Sequence, residues 1–132
     1  MRFDFYYAVG TVYGRAIWFN NNWYYIENGQ ITWTYTSLVK YNGVIYYVDR
    51  SMIRWNHRGL VESNGTLYYV SNSMVDYNFN DLYEQDGKYY YIKNGQVDKS
   101  YTGICKYNGK RYYIENGVIN SQYTGVVENG GN

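Results

Sequence analysis

The chain has 132 residues and a net charge of +1, from 12 Lys and Arg against 11 Asp and Glu. That length fits one domain, and the balanced charge excludes a nucleic-acid binder that works by neutralising phosphates. One Cys and one His exclude an internal disulfide and a zinc site built from such ligands. The 21 Tyr and 14 Gly, with no Pro, predict a core made largely of tyrosine.

A 22-residue repeat runs through the chain. Its clearest marker is a pair of tyrosines at Tyr24-Tyr25, Tyr46-Tyr47, Tyr68-Tyr69, Tyr90-Tyr91 and Tyr112-Tyr113. A partial repeat, 1–19, therefore precedes five full repeats, 20–41, 42–63, 64–85, 86–107 and 108–129. A fixed period of this size is typical of stacked architectures in which no repeat buries its apolar face alone. We expect one repeat domain over residues 1–132.

Each repeat is predicted to contain a β-hairpin. The later repeats begin with Asn42-Gly43, Asn64-Gly65, Asp86-Gly87 and Asn108-Gly109. These dipeptides favour the positive φ angles of a type I′ turn. The runs on either side are rich in β-branched and aromatic residues, which suit strands, and no stretch has a helical period. The predicted fold class is all-β, a β-hairpin repeat solenoid.

Pairing across the two-residue turn assigns the faces of the hairpin. Val39 should lie opposite Tyr46, and Leu38 opposite Tyr47. Since strand side chains alternate, Val39, Tyr46 and Val48 share one face. This face is constant in every repeat, so it is the predicted core, whereas Leu38 and Tyr47 should pack on the next hairpin. Equivalent buried positions are expected later in the chain: Val70, Ile92 and Val97.

The recurring pattern is N-G-x-x-Y-Y-[IV]-x-N-G-x-[IV]-x5-[TG]-[LIV]. It is clearest from Tyr89 to Ile104 and again from Tyr112 to Val126, and it resembles the choline-binding and cell-wall-binding repeats of Gram-positive bacteria and their phages. The related glucan-binding repeats are similar. The resemblance implies a superhelix of stacked β-hairpins, a non-catalytic surface anchor, and ligand sites between neighbouring hairpins.

The choline-binding members carry a Trp after the Thr-Gly and another before the Tyr pair, which together cage a quaternary ammonium by cation–π attraction. Here the first of these positions never holds Trp, and the second holds it once, at Trp23. No repeat combines the two. The sequence therefore predicts that choline is not the ligand.

The predicted binding residues lie in columns that vary between repeats: Trp33, Arg54, Trp55, His57, Arg58 and Tyr77. Trp33, Trp55 and Tyr77 occupy residue fourteen of consecutive repeats, so we expect them to form a line of exposed aromatic side chains. The basic residues flank Trp55, and arginine beside an aromatic anchor is typical of an interface hot spot. For the histidine, the alternative is a packed substitute for the Tyr or Phe found at residue sixteen of other repeats.

Trp18 and Trp23 should face each other across the first hairpin. They are interpreted either as a secondary binding site or as a cap on the open end of the repeat array. The second and third full repeats also depart from the pattern, with Asp49-Arg50-Ser51 and Ser71-Asn72-Ser73 where others have Asn-Gly. This departure indicates either a partner-specific patch or drift in solvated loops.

The sequence predicts no enzyme, cofactor or metal site, and Cys105 is expected to be a small buried hydrophobe. We expect a non-catalytic module that binds cell-wall polysaccharide or glucan through aromatic residues on stacked hairpins. The alternative is a stand-alone protein-binding protein, such as a phage-encoded inhibitor inside a bacterium. Neither hypothesis involves nucleic acid or membrane insertion.

The expected location differs between the two hypotheses. The resemblance implies an extracellular or cell-surface protein. The N-terminal stretch has no long apolar segment typical of a signal peptide, which indicates a cytoplasmic protein if the chain is complete.

Overall fold

The computed structural model describes the backbone of residues 2–3, 7–8, 15–19 and 22–128, and the side chains of residues 22–128. These residues form strands joined by turns and include no helix that could cross a membrane. The strands are β1 (Arg2–Phe3), β2 (Tyr7–Ala8), β3 (Arg15–Phe19), β4 (Asn22–Ile26), β5 (Ser37–Tyr41), β6 (Val44–Val48), β7 (Gly59–Ser63), β8 (Thr66–Ser71), β9 (Met74–Val75), β10 (Asp81–Gln85), β11 (Lys88–Lys93), β12 (Gln96–Val97), β13 (Gly103–Tyr107), β14 (Lys110–Glu115) and β15 (Val118–Ile119). The predicted all-β class is confirmed.

The chain forms two compact units, residues 1–76 and 77–132, called here the N-terminal unit and the C-terminal unit. The N-terminal unit contains the hairpins β3–β4, β5–β6 and β7–β8, and β2 pairs with β5 at the edge. Short strand β9 returns to β6 through Tyr46 and Met74. The hairpin β7–β8 is thereby joined to β5–β6, and a bridge between Tyr24 and Met52 joins β5–β6 to β3–β4.

The C-terminal unit follows the same plan with the hairpins β10–β11 and β13–β14. Short strand β12 pairs antiparallel with β11, and short strand β15 pairs antiparallel with β14. Val118 of β15 also pairs with Tyr90 of β11. The repeat of β-hairpins predicted from the 22-residue period is confirmed in both units.

The predicted hairpin turns have the expected geometry. Asn42 and Gly43 have φ angles of 49° and 78°, and Asn108 and Gly109 have 51° and 78°, as a type I′ turn requires. The turn of the first hairpin, at residues 20–21, lies outside the described residues. A second turn with two positive φ angles occurs in each repeat and was not predicted: Asn28-Gly29, Arg50-Ser51, Asn72-Ser73, Asn94-Gly95 and Asn116-Gly117.

The face predicted to be core is buried. Val39 lies opposite Tyr46 in the pairing, as predicted, and Val39 and Val48 are inaccessible to solvent. They form a cluster with Tyr25 from the preceding hairpin and with Ile53.

The opposite face of the same hairpin is buried as well, and Leu38 and Tyr47 pack against the next hairpin, as predicted. Leu38 and Ile45 form a second cluster with Val70 and Val75 of the following repeat. The hairpin β5–β6 therefore contributes one face to each of two clusters, because it lies between two neighbouring hairpins.

Stacked aromatic rings connect the strands with the loops. The second Tyr of a pair stacks on residue sixteen of its repeat, with ring centroids 4.0 Å apart for Tyr25 and Tyr35 and 4.2 Å for Tyr91 and Tyr101. The prediction of a core made largely of tyrosine was wrong: among residues 22–128 the buried apolar side chains are mainly Ile, Leu and Val, joined by Tyr24, Tyr25 and Tyr69. Cys105 is only half-buried, because it lies on the last described hairpin, so its expected burial was wrong.

Candidate binding site

Two loops of the N-terminal unit, residues 31–36 and 53–58, hold a tryptophan in an unusual backbone conformation. Trp33 has a φ of 62° and Trp55 a φ of 64°. Bulky L-residues rarely adopt this left-handed region, because the Cβ atom crowds the following carbonyl oxygen. Both indoles are nevertheless directed outward, with 52% and 41% of their surface exposed.

Each indole rests against the first Tyr of the pair in its own repeat. Trp33 meets Tyr24 edge-on, with ring centroids 5.7 Å apart and planes at 86°. Trp55 meets Tyr46 in the same way, at 6.0 Å and 85°. Edge-to-face contacts of this kind are favourable and define the orientation of a ring. The two tryptophans are therefore exposed but held in place.

A small open pocket, with a cavity volume of about 80 Å³, lies beside the second of these tryptophans. It is lined by Trp23, Tyr41, Tyr46, Ile53 and Trp55. Burial raises the pKa of the Tyr46 phenol, so this hydroxyl stays protonated at neutral pH and can donate a hydrogen bond. The lining thus combines aromatic faces with a few polar edges, as is usual in small-ligand sites.

Polar groups surround the loop that carries Trp55. The Arg54 Nε atom lies 3.7 Å from Asp49 Oδ2, and both side chains are partly exposed. Thr36 Oγ1 donates to Asp49 Oδ1 over 3.5 Å and accepts from the Arg50 amide over 2.9 Å. Charged groups of both signs are therefore available near the exposed indole.

His57 and Arg58 contact the packed interior. The His57 ring stacks on Tyr47 at 3.9 Å and 21°, in the place that Tyr35 and Tyr101 take in their own repeats. Arg58 Nε donates to the Tyr69 hydroxyl over 2.9 Å, and its guanidinium lies 5.9 Å from the centre of that ring. The packed role weighed for the histidine is the one that these contacts support.

The remaining predicted residues fall in different places. Tyr77 is exposed and belongs to the C-terminal unit, so the expected line of three aromatics stays a prediction. Trp18 pairs with Trp23 through the backbone, and its side chain lies outside the described residues. Trp23 lines the pocket together with Trp55, although the sequence assigned these two to separate sites.

Three pocket residues, Tyr41, Tyr46 and Ile53, were not predicted as site residues. Tyr46 and Ile53 belong to constant columns, and constancy had been interpreted as packing alone. A signal was available for Tyr41, since its column holds Tyr, Ser and Gln in successive repeats and thus varies as a site column does. Among residues 22–128, no group of His, Cys, Asp and Glu side chains could hold a metal ion.

A repeated β-hairpin scaffold with exposed, oriented aromatic rings defines a binding module. The family model for the choline-binding repeat matches residues 17–32, 59–76, 78–98 and 100–120, which is more than half of the chain. The chain belongs to the choline-binding repeat family, whose members are generally non-catalytic binding modules. No curated protein matches the chain at a significant level.

The matched ranges do not include residues 33–58. This segment contains both left-handed tryptophans and four of the five pocket residues. The binding-site candidate thus lies mainly between the stretches that match the family pattern.

Proposed function

We propose that the protein is a non-catalytic module that binds a cell-wall carbohydrate through the aromatic surface of its N-terminal unit. The pocket beside Trp55, together with the exposed indole of Trp33, would form the contact surface. The observation that carries the proposal is the left-handed backbone at both tryptophans. Such a conformation costs about 1–2 kcal/mol per residue, and residues held in it cluster at functional sites.

The orientation of the rings supports recognition of a flat, partly apolar ligand. Tyr24 and Tyr46 hold the two indoles edge-on, so little side-chain freedom remains to be lost when a ligand stacks on them. Rigid aromatic side chains give large contact area at low entropic cost. A sugar ring has an apolar face that suits this stacking, and its hydroxyls could use Arg54 and Asp49 at the edge of the loop.

The size and composition of the pocket agree with contact to a single residue of a polymer rather than enclosure of a large ligand. A cavity volume of about 80 Å³ is well below the usual range for small-molecule sites. Because Trp33 and Trp55 lie one repeat apart, a chain of linked sugars could contact both and gain affinity by multivalent binding.

The proposal can be tested by sedimentation with purified Gram-positive cell walls and, separately, with an insoluble glucan. Trp55→Ala should weaken the binding by about fivefold or more, the equivalent of a hot-spot residue. The matched control is Tyr89→Ala, which removes an aromatic side chain of similar exposure, 39%, from the C-terminal unit. Equal losses in the two variants, or no loss in either, would contradict the assignment.

Binding of choline should be measured separately, because the family is named for this ligand. The pocket brings Trp23, which occupies one of the two cage positions of choline-binding members, together with Trp55, which does not. Tryptophan faces attract quaternary ammonium groups. The sequence predicts no micromolar binding of choline in a calorimetric titration. Tight binding that Trp23→Ala abolishes would replace the carbohydrate by choline as the recognised group.

A protein partner is the second candidate, favoured by the arginine next to an exposed tryptophan. Arg54 is 40% exposed beside Trp55, and Trp with Arg is the composition of protein-binding hot spots. A pull-down from bacterial lysate, run beside the cell-wall sedimentation, separates the two. A defined protein captured by the wild type and lost in Trp55→Ala, with no cell-wall binding, would favour the stand-alone inhibitor.

A further inference from the structure

The second tight turn of each repeat has two versions, and each version occurs with a different conformation of the loop that packs against it. Its second residue is Ser51 or Ser73 in the second and third full repeats, and glycine in the others, as at Gly117. All three have positive φ angles, 65°, 60° and 83°. Serine is less favourable than glycine there, since only glycine lacks the Cβ atom that causes the crowding.

The backbone contact of this turn is the same in both versions. The amide of Ser51 donates to the Tyr35 carbonyl over 2.8 Å, that of Ser73 to the His57 carbonyl over 3.0 Å, and that of Gly117 to the Tyr101 carbonyl over 3.0 Å. Each turn therefore lies against residue sixteen of the preceding repeat, next to the loop that holds residue fourteen.

What differs is the bond made by the amide of residue sixteen. In the C-terminal unit the Tyr101 amide donates to the Asp98 carbonyl over 3.2 Å, which closes a tight turn around Lys99. In the N-terminal unit the His57 amide donates to Ser73 Oγ over 3.1 Å, and the Tyr35 amide to Ser51 Oγ over 3.4 Å. The serine hydroxyl thus takes the place of a loop carbonyl.

A steric conflict explains why the two versions do not mix. A Cβ atom added to Gly117 would lie 2.7 Å from the Asp98 oxygen and 3.2 Å from Lys99 Cα. The tight turn around residue 99 therefore requires glycine at 117. Where a side chain occupies this turn position, the loop must take another path, and it is in those loops that residue fourteen is left-handed.

We infer that Ser51 and Ser73 are positioning residues, which force the neighbouring loops into the conformation that presents Trp33 and Trp55 as ligand contacts. Both serine side chains are completely buried, so they act through the loops and do not touch a ligand. The link to ligand binding rests on the proposed function; the control of loop conformation does not. The serines in the second and third repeats are then a requirement of the site rather than drift.

If Ser73 controls the loop, the variants Ser73→Gly and Ser73→Ala should differ in the backbone conformation of Trp55. Glycine removes the obstructing Cβ atom, so the loop can close a tight turn of the kind seen around Lys99, and Trp55 should change to a negative φ. Alanine keeps the Cβ atom and should keep the left-handed Trp55, although it loses the hydroxyl acceptor. NMR backbone couplings and chemical shifts at Trp55 report the sign of φ in each variant.

Cell-wall affinity, measured on the same variants, separates the two levels of the proposal. Ser73→Gly should lose about fivefold or more, as Trp55→Ala does, and Ser73→Ala should retain most of the affinity. A changed loop with unchanged affinity would uphold the control of the loop and overturn the binding role of Trp55. A left-handed Trp55 that persists in Ser73→Gly would overturn the inference itself.

The converse experiment moves the device into the C-terminal unit. The double variant Gly117→Ser with Lys99→Trp should give residue 99 a positive φ and place its ring beside Tyr90, as Trp55 lies beside Tyr46. Gly117→Ser alone is the companion variant, and in it Lys99 should also become left-handed. A negative φ at residue 99 in both folded variants would contradict the steric argument.

Discussion

The loops of the N-terminal unit and those of the C-terminal unit are built on the same hairpins but present different chemistry. In the first, residues 31–36 and 53–58 bow outward and expose a tryptophan. In the second, residues 98–101 close a compact turn. All four tryptophans of the sequence fall within residues 1–76. The difference teaches that one scaffold keeps the same packing throughout and presents a different loop surface in some of its repeats.

The ring stacking that underlies both kinds of loop hardly changes. Tyr25 stacks on Tyr35 at 4.0 Å and 20°, and Tyr91 on Tyr101 at 4.2 Å and 13°. The contrast between the units is therefore confined to the few residues between the stacked ring and the short third strand. Experiments that perturb the shared scaffold should affect both units alike, whereas those aimed at the loops should not.

Alkaline pH should produce the largest effect, and should produce it in both units. Burial raises the pKa of Tyr25, Tyr35, Tyr47, Tyr91 and Tyr101 above the ordinary value of 10.0. The folded state then holds these protons more tightly than the unfolded state. The free energy of unfolding should be level up to about pH 9 and fall as the pH rises above about 10. Urea unfolding across a pH series measures this, and stability that stays level to about pH 12 would contradict it.

Removing a core side chain should have the next largest effect. Ile92 is buried in the C-terminal unit, and Ile92→Ala should lower the free energy of unfolding by about 2–5 kcal/mol. Because repeats couple to their neighbours, adjacent hairpins should loosen too. Ile92→Val, at about 0.5–1.5 kcal/mol, is the matched control. Unchanged thermal stability of the alanine variant would show that the face assignment is wrong.

Two glycines of the last hairpin sharpen the comparison of the loops. Gly109 has a φ of 78° and open space at its Cβ position, whereas Gly117 has a φ of 83° and the Asp98 oxygen there. Gly109→Ala should cost about 1–2 kcal/mol for the left-handed backbone alone. Gly117→Ala should cost about 2–4 kcal/mol, since residue 99 must become left-handed as well. Equal costs in chemical denaturation would remove the steric distinction between the two kinds of loop.

The smallest effect on stability is expected at the exposed tryptophan itself. Asn tolerates the left-handed region better than Trp, so Trp55→Asn should relieve about 1–2 kcal/mol of backbone strain. It should also lose an edge-on contact worth about 0.5–1.5 kcal/mol. The net change in unfolding free energy should be below about 1 kcal/mol, while binding is lost. A destabilisation well above about 2 kcal/mol would place the indole in the core.

The hairpins could be predicted from the sequence because their determinants are local. Asn-Gly dipeptides set the turn, and strand alternation then determines that Val39 faces Tyr46 and Leu38 faces Tyr47. Neither step requires knowledge of distant parts of the chain. The second turn could have been predicted in the same way, since three repeats hold Asn-Gly there: Asn28-Gly29, Asn94-Gly95 and Asn116-Gly117. Ser51 and Ser73 give no such signal in the other two repeats.

The pocket could be predicted only in part, because it depends on how neighbouring hairpins meet. Trp23 and Trp55 were each named as site residues, yet only the packing of one hairpin on the next brings them together. Tyr46 was assigned to the core because its column is constant, although it also lines the pocket. A residue at the edge of a core both packs and lines the surface, and the constancy of its column reflects only the packing.

The hairpin β5–β6, which buries one face against each neighbour, has a consequence for how such a chain can evolve. Every internal repeat offers the same two surfaces, so a duplicated 22-residue segment would find matching partners on either side. Once copied, the segment can acquire a new residue fourteen and a new turn residue while its packing columns stay as they are. The 22-residue segment is therefore the unit of duplication and also the unit in which the exposed loop surface can change.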